Sequence, residues 1–135
     1  MISYNYETNF ELHDENAYSN WISKVILSEN KTEGDINYIF CDDDYLHKIN
    51  LEYLEHDNLT DIISFDYSVG NELHGDIFIS IERVKENAVD YKVSFDEELK
   101  RVMAHGILHY SGYKDKFESD SVIMRKKEDE KIELF

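Results

Sequence analysis

The chain has 135 residues, 41% of them hydrophobic, with 10 Tyr, 7 Phe and 1 Trp, which is enough to bury a core and too apolar for a disordered segment. Its formal net charge of −16 argues against a general nucleic-acid-binding surface, because such surfaces are normally basic. No apolar run nears the roughly 18 residues of a membrane span, MISYNYETNF lacks the parts of a signal peptide, and Cys41 has no disulfide partner, so a cytoplasmic protein is expected. The charge is uneven. Residues 1–80 carry 17 acidic and 3 basic side chains, whereas residues 81–135 carry 13 and 11.

With no proline and no linker-like stretch, a single domain over 1–135 is expected. The alternation in ISYNYE, 2–7, predicts a first strand. From Glu15 to Glu29, Tyr18, Trp21, Ile22, Val25 and Ile26 recur at helical spacing. INYIFC, 36–41, reads as a strand. Asp42 or Asp43 then caps a helix carrying Tyr45, Leu46, Ile49 and Tyr53. TDIISFDY, 60–67, and GDIFISI, 75–81, are strands joined by SVGNELH, which has hairpin composition. Three helices follow: about 82–91, one opening at the capping box Ser94-Phe95-Asp96-Glu97, and one starting near Asp120 and ending in a solvated RKKEDEK face. The order indicates an α/β (α+β) fold, a small mixed four-stranded sheet packed with about five helices.

The helix from Phe95 to about Tyr110 carries the chemistry. Leu99, Val102, Met103, Gly106 and Tyr110 form its core stripe, while Glu98, Arg101, His105, Leu108 and His109 form another. His105 and His109 stack one turn apart and point the same way. Gly106 permits a close approach by a strand or substrate. Gly112 suits a left-handed helix stop that turns the chain back and brings Asp115 toward the two rings. Two imidazoles, a carboxylate and one position for water make a catalytic zinc arrangement. The spacing alone equally fits two ordinary helix histidines. H-E-x-x-H is absent, since Gly106 stands where its Glu would be, which disfavours a zincin protease.

HGILHYSGYKD, 105–115, closely resembles the H-G-x-L-H-x-x-G-Y-D-H signature of the YbeY family of bacterial zinc-dependent endoribonucleases of ribosomal RNA maturation. TDIISF (60–65), HGDIFIS (74–80) and Asn50-Leu51-Glu52-Tyr53 resemble further blocks of that family in the same order, so the resemblance covers about residues 36–116. It implies a metal site on a helix, with His105 and His109 as the first two ligands. Asp115 stands at the third histidine's position and Lys114 replaces the Asp before it. An oxygen donor there suits zinc but tempers its Lewis acidity.

The resemblance places an arginine after N-x-x-Y, where this chain has Leu54. The phosphate-directed charge is then expected from Arg101, Lys114, Lys116 or His56, with Arg101, one turn before His105, the first choice. A surface arginine paired with Glu97 or Glu98 is the competing reading. Thr60 and Asp61 belong to the cleft floor by resemblance, or simply open a strand. Asp76 could orient a metal histidine, or simply be a polar residue at a strand start. His56 and Asp57 read as a solvated loop, Asp42-Asp43-Asp44 as a helix N-terminus, and Cys41 as a small buried residue.

These readings imply a metal-dependent single-strand endoribonuclease that uses one Zn²⁺ on ribosomal RNA 3′ ends and works with the small ribosomal subunit. The alternative is a non-catalytic ribosome-associated factor. Its metal would be structural and its acidic half would dock on a ribosomal protein or a GTPase. A fourth protein ligand would favour that alternative. A hydrolase of some other substrate is a third reading.

Overall fold

The computed structural model of the chain describes residues 1–54 and 60–135. Its elements are β1 (Ile2–Tyr6), α1 (Glu15–Ser28), β2 (Thr32–Cys41), α2 (Asp43–Leu54), β3 (Ile62–Asp66), β4 (Glu72–Ser80), α3 (Ile81–Tyr91), α4 (Phe95–Tyr110) and α5 (Glu118–Ile132). The order matches the sequence expectation. The strands form one mixed sheet in the order β1-β2-β4-β3. β1 and β4 run parallel to β2, and β3 runs antiparallel to β4.

Alternation decides what each face of the sheet receives. Ile36, Tyr38 and Phe40 of β2, with Leu73, Ile77 and Ile79 of β4, meet Trp21, Ile22, Val25 and Ile26 of α1 and Leu99, Val102, Met103 and Ile107 of α4. The opposite face is smaller. There Cys41, Leu46 and Ile63 pack with Ile49, Phe65 and Phe78 beneath α2. The Tyr38 hydroxyl donates to the Met103 carbonyl at 2.9 Å, tying α4 to the middle of the sheet.

Two strands begin earlier than expected. β2 starts at Thr32 and β4 at Glu72, because these exposed polar residues pair with each other rather than with a core. Gly70, at φ +59°, closes the tight β3–β4 hairpin that brings Glu72 into register. Asp42 accepts from the Tyr45 amide and caps α2, while Asp43 takes Ser80 and Arg83. Asp42 therefore serves the helix start, while Asp43 ties α2 to the start of α3.

RKKEDEK needs correction. Glu128 and Lys131 are buried, with Met124 on the same side of α5. Lys131 Nζ reaches Glu29 at 2.6 Å and Ser28 at 2.8 Å, and its backbone carbonyl accepts from Trp21 Nε1 at 2.7 Å. α5 lies across α4 and covers what the sequence suggests is an open stripe. Leu108, Glu98 and Arg101 are buried as well as the core stripe.

Candidate metal centre

α4 starts where the capping box puts it, with Ser94 Oγ accepting from the Glu97 amide at 3.1 Å. Its core stripe seats it on β4, and Gly106 is the point of contact. A Cβ there would lie 2.8 Å from Ile77 Cδ1, so the glycine admits a strand. This contact fixes the rotation of α4 and turns His105 and His109 together toward a cleft. At the helix end Gly112 has φ +107°, and the Tyr113 amide donates back to the Leu108 carbonyl at 3.0 Å. The reversed chain then brings the Asp115 carboxylate to the histidines.

The three donor atoms form a small triangle. His105 Nε2 and His109 Nε2 are 2.9 Å apart, and Asp115 Oδ2 lies 3.1 Å from the first and 3.3 Å from the second. A tetrahedral ion with bonds of about 2.0–2.1 Å places its ligand atoms about 3.3–3.4 Å apart, so the triangle needs little adjustment to hold zinc. Among the described residues it is the one cluster of His, Cys, Asp or Glu side chains with such spacing.

Proton placement supports the same fit. His109 Nδ1 lies 3.1 Å from the Tyr113 carbonyl, which can only accept, so this nitrogen carries the hydrogen. His105 Nδ1 lies 2.6 Å from Glu128 Oε2, a carboxylate acceptor. With both Nδ1 positions donating, both Nε2 lone pairs point at one spot, and a carboxylate oxygen joins them. With both rings neutral that leaves three converging acceptors, a set that a metal cation satisfies. Burial pushes the His105 pKa down. The hydrogen bond and charge of Glu128, then the charges of Asp115 and Asp61, outweigh burial and raise it above the ordinary histidine value.

The triangle opens on a cleft of about 340 Å³ between α4, α3, α5 and the entry to β3. Thr60 and Asp61 lie on its wall, where Asp61 accepts from Asn87 Nδ2 at 3.1 Å. Desolvation raises the Asp61 pKa, against the lowering effect of His105.

The chain matches the family model described as endoribonuclease YbeY over residues 3–135. It belongs to the YbeY family. An endoribonuclease YbeY from Flavobacterium psychrophilum is 69% identical over all 135 residues, covering 96% of that protein. One from Christiangramia forsetii is 62% identical over 99% of this chain and 94% of its own length. A Thermotoga maritima protein solved in solution has the same fold, with TM-score 0.67 at 24% identity, over 99% of this chain and 88% of that one.

Against the YbeY signature, this chain brings Asp115 Oδ2 to the histidine pair, two positions beyond Tyr113, whose carbonyl orients His109. Arg101 lies on the cleft but is 8% exposed and committed to acids. One terminal nitrogen donates to Asp129 at 2.8 Å and lies 3.5 Å from Glu128, while Nε sits 3.6 Å from Glu98. The pairing with Glu98 matches the competing reading, but the residue is buried rather than on the surface. Lys114 and Lys116 are exposed and do not line the cleft, and Leu54 is exposed at the end of α2. His56 and Asp57 lie outside the described residues.

Asp76 does not orient a metal histidine. Alternation points it away from Ile77 and hence from α4, and it accepts from Asn37 at 3.0 Å. His74 beside it bonds the Asp35 amide and Glu72. The orienting groups are Glu128 and the Tyr113 carbonyl. Burial pushes the Cys41 thiol up to about 12, with Asp42, Asp43 and Glu7 adding to the effect, so it is no nucleophile.

Proposed function

We propose that the chain is a metal-dependent endoribonuclease that cuts single-stranded RNA during maturation of ribosomal RNA 3′ ends, with Zn²⁺ held by His105, His109 and Asp115. The observation carrying this is the triangle of three acceptor atoms 2.9–3.3 Å apart, with both histidine Nδ1 atoms already used. The names of the curated relatives supply the substrate class. A divalent ion bound there supplies Lewis acidity toward a phosphate oxygen and lowers the pKa of water to about 7.

The chain's own residues do the rest. Glu128 and the Tyr113 carbonyl fix both rings with Nε2 toward the cleft. Asp115 adds a negative donor that tempers the ion's acidity. Arg101 offsets the charge of Glu128 and Glu98, and so positions the group that positions His105. Among the described residues the cluster stops at three protein ligands, the number found in catalytic rather than structural zinc sites. That count and the relatives' enzyme names weigh against a non-catalytic ribosome-associated factor. On this reading the chain acts on ribosomal RNA with the small ribosomal subunit in the cytoplasm. Among the described residues no helix is long and apolar enough to cross a membrane.

The test is metal content and RNA cleavage in the wild type and in His109→Ala. Stoichiometric zinc and cleavage in the wild type, with both lost in the variant, are expected. Wild-type protein purified without chelators that carries no metal, or equal cleavage by both proteins, would defeat the proposal.

A further inference from the structure

A phosphodiester needs a cation at the point where its charge is gripped. Among the described residues lining the cleft the cations are Arg101 and Arg125. Arg101 is buried among Glu98, Glu128 and Asp129. Arg125, on the exposed side of α5, has no carboxylate within ion-pair distance among the described residues. Its guanidinium instead lies 5.3 Å over the Tyr91 ring, from the last turn of α3. Stacking on a ring face fixes a guanidinium's plane without using its N–H donors. Arg125 is therefore held in place with its donors still available at the wall of the metal cleft. Tyr91 is 53% exposed, which leaves part of its ring open to a second stacked group such as an unpaired base.

We infer that Arg125, on its Tyr91 platform, is the residue of this chain that binds the RNA phosphate backbone beside the metal centre. The inference takes its substrate from the endoribonuclease reading. Arg125 grips one backbone phosphate next to the bond to be cut, and Tyr91 adds a stacking surface. Single-stranded RNA suits this arrangement, because a paired base has no face to offer the ring.

The experiment uses the zinc-loaded full chain and a fluorescent, cleavage-resistant 2′-O-methyl oligonucleotide. Its affinity is followed by anisotropy across a salt series, beside cleavage kinetics on unmodified RNA. Arg125→Gln is expected to weaken binding about tenfold. It should also flatten the plot of log K against log salt by about 0.7, one phosphate contact on a single strand. KM should rise and zinc content stay at the wild-type value. Tyr91→Leu should weaken binding about fivefold, with Tyr91→Phe restoring it. Lys24→Gln, the same charge change on an exposed α1 residue, should leave the slope unchanged. Arg125→Gln binding within twofold of wild type with the same slope would overturn the inference, as would Lys24→Gln matching its effect. If the wild type binds RNA through Arg125 but cuts none, the enzymatic reading falls and this site stands. If the wild type cuts RNA and Arg125→Gln matches it in KM and slope, only this site falls.

Discussion

Glu128 offers the sharpest test of how the fold builds the site. It is 5% exposed, accepts from His105 Nδ1 at 2.6 Å through Oε2, and faces Arg101 at 3.5 Å through Oε1. Glu128→Gln keeps the volume and one acceptor oxygen but removes the charge. A hydrogen bond to an ionised acceptor is about twice as strong as a neutral one. Loss of that increment at a ring that orients a metal donor should cost about 10–100-fold in zinc affinity.

The apo fold should change by less than about 1 kcal/mol. Arg101 keeps Asp129 at 2.8 Å and Glu98 at 3.6 Å, and the charge of Glu128 disfavours ionised Glu98, so its removal relieves as well as costs. The assay is chelator competition at one fixed pH, together with apo and zinc-loaded thermal melts. The stabilisation by zinc should shrink by about 1.4–2.7 kcal/mol at a fixed free concentration. Asp129→Asn, which touches Arg101 but neither histidine, should leave affinity near wild type. Zinc affinity within twofold in Glu128→Gln, or an equal loss in Asp129→Asn, would mean that Glu128 does not tune the metal site through His105.

Other outcomes follow from the same geometry. Burial raises the Asp61 pKa, so the folded state holds its proton to higher pH than the unfolded chain. Stability is therefore lost as pH rises from the unfolded value of 3.8 through the folded one. Asp61→Asn should stabilise the protein at pH 7, with the gain vanishing at pH 3 in urea melts, while cleavage falls if the carboxylate serves the cleft. Glu29 behaves oppositely. Desolvation raises its pKa, but Lys131 outweighs that and lowers it, so the pair's stabilisation is present above the unfolded value of 4.5 and fades as pH falls through the lower folded value. Lys131→Met should cost about 3 kcal/mol at pH 7, less in acid, by the same melts. Gly75→Ala would drive a Cβ into the Tyr110 ring and the Phe65 carbonyl, breaking the Tyr110 bonds to Phe65 and Asp76. A loss of about 3 kcal/mol or failure to fold is expected.

The sequence was most legible where one residue type has one job. The stripe Leu99, Val102, Met103, Gly106, Tyr110 settles which way α4 faces, and its complement puts the histidines together. Gly112 reads as a left-handed stop because few other residues adopt φ +107°. Glu128 was not legible for the converse reason. The buried line of α5 is Met124, Glu128, Lys131, at i, i+4 and i+7, with charged residues in two positions where a core-facing helix normally shows apolar ones. Helical spacing could have picked out that line. Nothing local could say that the carboxylate meets a histidine on another helix and the ammonium meets Glu29, 102 residues away. Arg101 was legible only in part for the same reason: its position on the ligand stripe was readable, its three acidic neighbours only partly so.

The net charge of −16 remains the strongest compositional objection to an RNA substrate, and the arrangement of the cleft answers it. Among the described residues, four carboxylic acids line it (Asp61, Glu98, Asp115, Glu128) against two arginines. Formally that leaves an excess of two negative charges, equal to the charge of one divalent ion. Without the ion the lining repels a phosphate, and with it the cleft is formally neutral and Arg125 is the cation in reach. RNA affinity should therefore depend on metal occupancy far more than a basic groove would, and the few phosphate contacts should give a shallow salt dependence. An acidic exterior is compatible with this, because on this reading the cleft alone needs to hold RNA. Titrating the 2′-O-methyl oligonucleotide against metal-free and zinc-loaded protein decides the point. Equal affinity in the two states would mean that RNA is held by some other surface.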